Sequence, residues 1–218
     1  MSKKIIELVN QWAAYEAERA DPSLADFCLW YLANQLPAPA YASDIFDESP
    51  INGTLGKLLG RLSKYSYLYS KKALKTLGLH NVDDMMYMHV IHHLGAPNKS
   101  ELIHHMLSEF PSGIDIIRRL LKLGLIEELP NAQDKRAKRV RLTSQGEGLL
   151  AESYPFIHRA GKVAFDVLTQ PEKLLLVQLL ERLDSFHTEH YKTTRAEEFE
   201  GLYQRMMNLL ERPTNAGE

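Results

Sequence analysis

Only one cysteine, Cys28, occurs in 218 residues, which excludes an internal disulfide framework and a cysteine-built zinc module. Long apolar runs are also missing. The longest, Phe27 to Ala33, has seven residues, whereas a membrane-spanning helix needs ~20. The basic start at Lys3 and Lys4 is not followed by a signal-peptide apolar stretch, because Glu7 and Asn10 interrupt it. The glycines form no phosphate-cradling loop, and there is neither a G-x-S-x-G turn nor an H-E-x-x-H pair. Gly146-Glu147-Gly148 reads as a helix start. Repeats and low-complexity tracts are absent. These absences lead us to expect a soluble, cytosolic protein that is not an enzyme and needs no cofactor.

Net charge is nearly absent too, with 26 basic and 28 acidic residues giving −2. Its distribution is uneven. Residues 1–50 hold three basic residues against eight acidic ones, a balance of −5, while residues 134–141 hold five against one, a balance of +4. A concentrated basic patch on a neutral chain is the footprint of local phosphate contact. What is plentiful is ordinary globular material, 44% apolar and 25% charged, enough for a packed core.

Six pairs of a capping residue and an acid three positions later each head an apolar run: Asn81/Asp84, Asn98/Glu101, Ser112/Asp115, Ser144/Glu147, Thr169/Glu172 and Thr194/Glu197. Reciprocal capping of this kind marks helix starts, so the chain is expected to be mainly α. Ile5 to Tyr15 and Leu24 to Leu36 give two N-terminal helices, and the Pro- and Gly-bearing residues 37–53 a linker. A long apolar stripe from Leu55 to Leu77 follows, ended by Gly78. Helices are then expected at 81–94, 99–107 and 112–123, with a tight turn at Ser108-Glu109-Phe110-Pro111 before the last. After Gly124 the period changes from helical to two. Leu125–Leu129 and Arg139–Leu142 make one hairpin, with Val140 and Leu142 inward and Arg139 and Arg141 outward. Helices at about 144–168, 170–187 and 194–211 complete the chain.

Short helix, tight turn, helix and a hairpin with a basic loop is the order of a winged helix-turn-helix. A helix fits the major groove of DNA. On helix 112–123, Ile114, Ile117, Leu120 and Leu121 are expected to face inward. Asp115, Arg118, Arg119 and Lys122 share the opposite face, where phosphates and base edges would lie. The run Arg119-Leu120-Leu121-Lys122-Leu123-Gly124-Leu125-Ile126 resembles the "R-L-x-x-x-G-L-I" of the MarR family of bacterial regulators. Asp134 to Gly146 resembles that family's wing signature, "D-x-R-x-x-x-V-x-L-T-x-x-G".

The resemblance implies a homodimeric transcription regulator on a pseudo-palindromic operator, with recognition helix 112–123 in the major groove and wing 130–138 in the minor groove. It spans a core at 51–187, with the DNA-binding lobe at about 79–143. An N-terminal helical extension (1–50) and a C-terminal one (188–218) lie outside it. By the same resemblance Arg136 enters the minor groove and Asp134 braces the wing by pairing with it. Charge alone assigns phosphate contacts to Lys135, Lys138 and Arg139. Ser112 and Gly113, where the family has small hydroxyl and basic residues, complete the DNA-binding candidates. Asp115 reads either as an acceptor for a cytosine amino group or as a partner of the Ser112 cap, Arg118 or Arg119. The preceding helix, with His104 and His105, lacks the small alanine usual at such a crossing.

Other candidates have bland readings. His89 and His93 share a helix face with no further ligand at zinc spacing, so polar-face histidines are expected. Cys28 has no basic residue within six positions to lower its pKa and is expected to be a small buried hydrophobe. Tyr65, Tyr67 and Tyr69 are expected to pack. Helix 170–187 is apolar nearly all round, hence expected to be buried on more than one side. Stripe 194–211 has no evident partner within the chain, so both point to an obligate dimer interface that the terminal extensions join. A small-molecule effector belongs to the same picture. The alternative is a dimeric winged-helix interaction module without sequence-specific DNA binding, which Asp115 and the net charge favour.

Overall fold

The computed structural model describes residues 2–35, 51–131, 137–195 and 197–211. The chain divides into two compact units, residues 1–60 and 61–218. The first contains helices α1 (Lys3–Ala17) and α2 (Leu24–Gln35) and the start of α3 (Ile51–Leu74). Ser23 starts α2 by accepting from the Asp26 amide at 3.0 Å. Tyr15 and Phe27 are buried between α1 and α2, their rings 5.5 Å apart and nearly edge-on. Trp12 meets Phe27 at 5.2 Å, and the Arg19 guanidinium caps Tyr15 at 3.9 Å from its ring centre. Cys28 is exposed rather than buried. Its neighbour Phe27 takes the inward position, and a helix turns the next residue away by ~100°.

In the second unit, α3 tightens into a 3-10 turn (Lys75–Leu77) and stops at Gly78, whose φ of +75° suits a residue without Cβ. Of the expected linker, residues 37–50 lie outside the described residues, while 51–53 already belong to α3. Next come α4 (Val82–Leu94), α5 (Lys99–His105), α6 (Phe110–Lys122), β1 (Ile126–Pro130), β2 (Lys138–Leu142), α7 (Ser144–Phe165), α8 (Gln170–Thr194) and α9 (Phe199–Glu211). Among the described residues the fold is therefore mainly α with one antiparallel hairpin, its register pairing Ile126 with Leu142 and Pro130 with Lys138. Asn98 and Arg139 add an isolated bridge, and the Val140 amide donates to Pro97 at 2.9 Å. The hairpin is thus tied to the loop before α5. Met88, Ile91, Leu102, Ile103, Ile117, Leu120, Val140 and Leu150 form the core around α4.

Several starts differ from the capping pattern. Asn98/Glu101 and Thr169/Glu172 form capping boxes. Asn81 caps α4 alone, accepting from the Asp83 amide, because the Asp84 carboxylate is engaged elsewhere. Ser112 lies inside α6, which starts two residues earlier at Phe110 with Pro111 in its first turn. A first-turn proline needs no amide partner, so the expected tight turn shortens. Thr143, not Ser144, caps α7. Thr194 is the last residue of α8, which runs past 187 without a break, and Glu197 instead holds Arg205 at 3.0 Å. No residue of α8 is buried, because within one chain its apolar sides meet few neighbours. The α9 stripe does have an intrachain neighbour, since Leu202 and Met206 line one groove with Leu183 and Phe186 of α8. Tyr65 and Tyr67 are exposed rather than packed, and the Tyr67 hydroxyl donates to Asn81 at 3.1 Å.

Candidate nucleic-acid interface

The helix-turn-helix is fixed by one close approach and one ion pair. Gly113 of α6 is buried, and a Cβ there would meet Ile103 Cγ1 at 2.5 Å and the Tyr87 hydroxyl at 2.9 Å. The small residue that a tight crossing needs is therefore on α6, not α5. This removes Gly113 from the DNA-contact candidates, because it is covered by α4 and α5. Fully buried Tyr87 donates its hydroxyl to Ser108 at 2.9 Å, and burial pushes its pKa above the ordinary value. The α5–α6 turn passes through Leu107 at φ +50°, a conformation disfavoured for a branched-chain residue. Ile116 rather than Ile114 takes the buried position beside Ile117 and Leu120, with Ile114 half-buried.

Arg119, expected on the outer face, is instead folded back onto α4. Its Nε donates to Asp84 at 2.8 and 3.1 Å, and an Nη donates to the same carboxylate. Asp84 is buried, so the guanidinium supplies the partner that a buried charge requires. The hydrogen bond to Asp84 holds the Arg119 pKa above its usual value. Arg118 pairs with Asp115 at 3.2 Å, both side chains being more than two-thirds exposed. A pair so wet contributes little and opens readily. Ser112 and Lys122 are exposed. The outward face of α6 is thus Ser112, Asp115, Arg118 and Lys122.

In the wing, Lys138 and Arg139 are exposed, and Arg139 also donates Nε to the Ala96 carbonyl. Arg141 pairs with Glu127 across the hairpin at 2.7 Å, and Lys99 pairs with Glu128. Asp134, Lys135 and Arg136 lie outside the described residues. The foot of the hairpin is stitched by Thr143. Its hydroxyl donates to the Gly124 carbonyl at 2.7 Å and accepts from the Gly146 amide at 3.1 Å. A Cβ on Gly146 would lie 2.0 Å from the Leu125 carbonyl oxygen, which accounts for threonine and glycine at this spacing.

Ser100 at the start of α5, Phe110 and Ile114 of α6, and Ala137 and Lys138 at the wing foot line one groove of about 230 Å³. This common groove makes α6 and the wing foot parts of one surface. Ser100 and Phe110 carry no signal of this role in the sequence. The Asn98/Glu101 box locates the α5 terminus, but nothing in the pattern says what that terminus faces. Of the histidines, His89 Nδ1 lies 3.0 Å from the Tyr154 hydroxyl and the His104 ring lies 4.9 Å from that of Tyr191, tilted by 35°. Among the described residues no group of three or more His, Cys, Asp or Glu is placed to hold a metal ion, and no helix is long and apolar enough to cross a membrane.

Residues 79–146 match the family of winged helix DNA-binding domains. Among solved structures, the chain is similar to a mutant MarR from Escherichia coli complexed with operator DNA. The identity is 22% and the TM-score 0.56, over 59% of this chain and 92% of that one. A probable transcriptional regulator from Pseudomonas aeruginosa matches at 20% identity and a TM-score of 0.56, over 62% and 99%. Bordetella bronchiseptica BpsR, whose DNA binding is regulated by 6-hydroxynicotinic acid, matches at 20% and 0.57, over 62% and 96%. With the close α5–α6 crossing and the stitched hairpin, these likenesses give the chain a winged-helix fold similar to that of the MarR structures, with residues 79–146 matching winged helix DNA-binding domains.

Proposed function

We propose that the protein is a transcriptional regulator that binds duplex DNA as a homodimer, α6 entering the major groove and the wing an adjacent minor groove. The observation that carries this reading is the groove shared by α5, α6 and the wing foot, which gives helix and hairpin a common approach to one duplex. Lys122, Arg118 and Ser112 are the α6 contacts, and Lys138 and Arg139 serve phosphates. Arg119 contributes by holding α6 against α4 rather than by touching DNA. Two copies joined along the unburied apolar side of α8, at Leu174, Val177 and Leu180, would present two α6 helices to half-sites about 10 bp apart.

For the wing tip the reading rests on the motif. An arginine there enters a narrow A·T-rich minor groove, where negative potential is enhanced, and it gains only if the wing is rigid. Arg136→Ala is expected to weaken binding to an A·T-flanked duplex more than to a G·C-flanked one. It should also flatten the slope of log K against log salt by about 0.9. Asp134→Ala is expected to weaken binding as well, although deleting an acid beside DNA should help on charge alone. Fluorescence anisotropy over a salt series measures both, and tighter binding by Asp134→Ala would rule out the braced wing. Absence of any salt-dependent duplex binding would leave the interaction-module alternative, which the exposed Asp115 carboxylate on α6 favours.

A further inference from the structure

Helices α8 and α9, beyond the residues matched to the DNA-binding domain, enclose a groove of about 670 Å³. Small-molecule sites measure ~300–1,000 Å³ and combine apolar walls with a few placed polar groups. Here Leu183, Phe186, Leu202, Met206 and Leu210 form the walls, with Arg182 and His187 on the α8 side. Thioether side chains adapt to flexible alkyl chains. Arg182 forms no ion pair among the described residues, and it is exposed. A trough of this lining edged by a free guanidinium complements a carboxylate on a long apolar body.

The same helix carries this groove toward the DNA-binding lobe. Phe186, on the groove wall, meets His190 edge-on at 5.1 Å. In the next residues the Tyr191 ring meets that of His104 of α5 at 4.9 Å, tilted by 35°, and Thr194 returns to the groove lining. Arg195, just after α8, then reaches Glu109, the residue preceding α6, at 3.8 Å. The last turn of α8 and the residue after it thus touch the groove on one side, and α5 and the residue before α6 on the other.

The geometry points to an effector site for a monocarboxylate with a long alkyl body in the α8–α9 groove, coupled to α6 through Tyr191 and Arg195. The coupling rests on the DNA-binding reading above; the site itself does not. Calorimetric titration of the full chain with decanoate, below its micellar range, is expected to show one saturable site, with decanol as the uncharged control. Arg182→Gln should weaken decanoate about ten-fold and leave decanol unchanged. Leu202→Trp, which fills the trough, should weaken both. Decanoate binding that is absent, or indifferent to Arg182→Gln, overturns the site. With a labelled duplex, decanoate should change the DNA Kd by about five-fold or more, and Tyr191→Ala should abolish that response while still binding decanoate. A duplex Kd that ignores bound decanoate in the unaltered protein overturns the coupling. Lack of salt-dependent duplex binding without decanoate would instead indict the DNA reading, and the calorimetric result would stand.

Discussion

Arg119 and Lys122 stand three residues apart near the end of α6, yet the structure gives them opposite tasks. The Arg119 guanidinium satisfies buried Asp84, whereas Lys122 is exposed. Breaking a fully buried pair by removing one partner costs ~3–5 kcal/mol. Arg119 is 39% exposed, so solvent recovers part of that, and about 2–3 kcal/mol is expected for Arg119→Ala. Chemical denaturation should therefore show Arg119→Ala markedly destabilised and Lys122→Ala unchanged. Anisotropy should show Lys122→Ala weakened on DNA with a flatter salt slope. Replacing both Asp84 and Arg119 by apolar residues should recover much of the lost stability. Equal stability of the two single variants would return Arg119 to the outer face. Sequence puts both residues on one face because helical spacing cannot tell an arginine that reaches solvent from one that reaches back 35 residues to an acid. Asp84 has the spacing of half a capping box, and its true partner is too distant in the chain to show.

At the scale of elements, the legible features are those with a local cause. Asn98/Glu101 and Thr169/Glu172 are readable because a cap closes within one turn, and the hairpin because alternation of Val140 and Leu142 with the arginines is local. Ser112 misleads because Pro111 already supplies a helix start at Phe110. Gly113 reads as a contact because its burial depends on Ile103 and Tyr87, which are distant in sequence. The two close glycines differ in what they meet. At Gly146 a Cβ collides with the Leu125 backbone oxygen, at Gly113 with an isoleucine branch and a tyrosine hydroxyl. Alanine gains ~1 kcal/mol of helix propensity over glycine, but overpacking costs ~1–3 kcal/mol and more where backbone must move. Gly146→Ala is expected to lower Tm more than Gly113→Ala, while Gly148→Ala, with open space around it, should raise it slightly. At the α7–α8 junction, bonds from Thr169 hold Glu172 below the usual carboxylate range, and Lys173 does the same for Asp166. Depressed folded pKa values mean these contributions are present above the ordinary carboxylate pKa of ~4 and lost as pH falls through the lower folded values. Hydrogen-exchange protection at the start of α8, taken relative to the intrinsic amide rate at each pH, should fall on acidification there, before the core around α4 opens. A start of α8 indifferent to pH would show that this capping box does not hold it.

For the whole molecule, the decisive quantity is apolar surface that the single chain does not cover. Leu174, Val177 and Leu180 of α8 remain 56%, 48% and 38% exposed, along a helix without one buried residue. Patches of this kind mark interaction sites in soluble proteins, and obligate interfaces often bury more than ~2,000 Å² in the manner of a divided core. Burial inside the chain, expected from the all-round apolar sequence of this helix, and burial against a second copy give the same pattern of leucines. Sequence therefore cannot separate them. A dimer is expected in sedimentation equilibrium at micromolar concentration, with a Tm that rises with protein concentration because association stabilises only the folded form. Leu174→Glu with Val177→Glu should yield a folded monomer, since both side chains face solvent in the single chain. That monomer should lose far more DNA affinity on a two-half-site duplex than on a single half-site, because only the former depends on two linked contacts. A native chain that sediments as a monomer at micromolar concentration, with helicity intact, would sink the dimer and with it the paired-groove geometry.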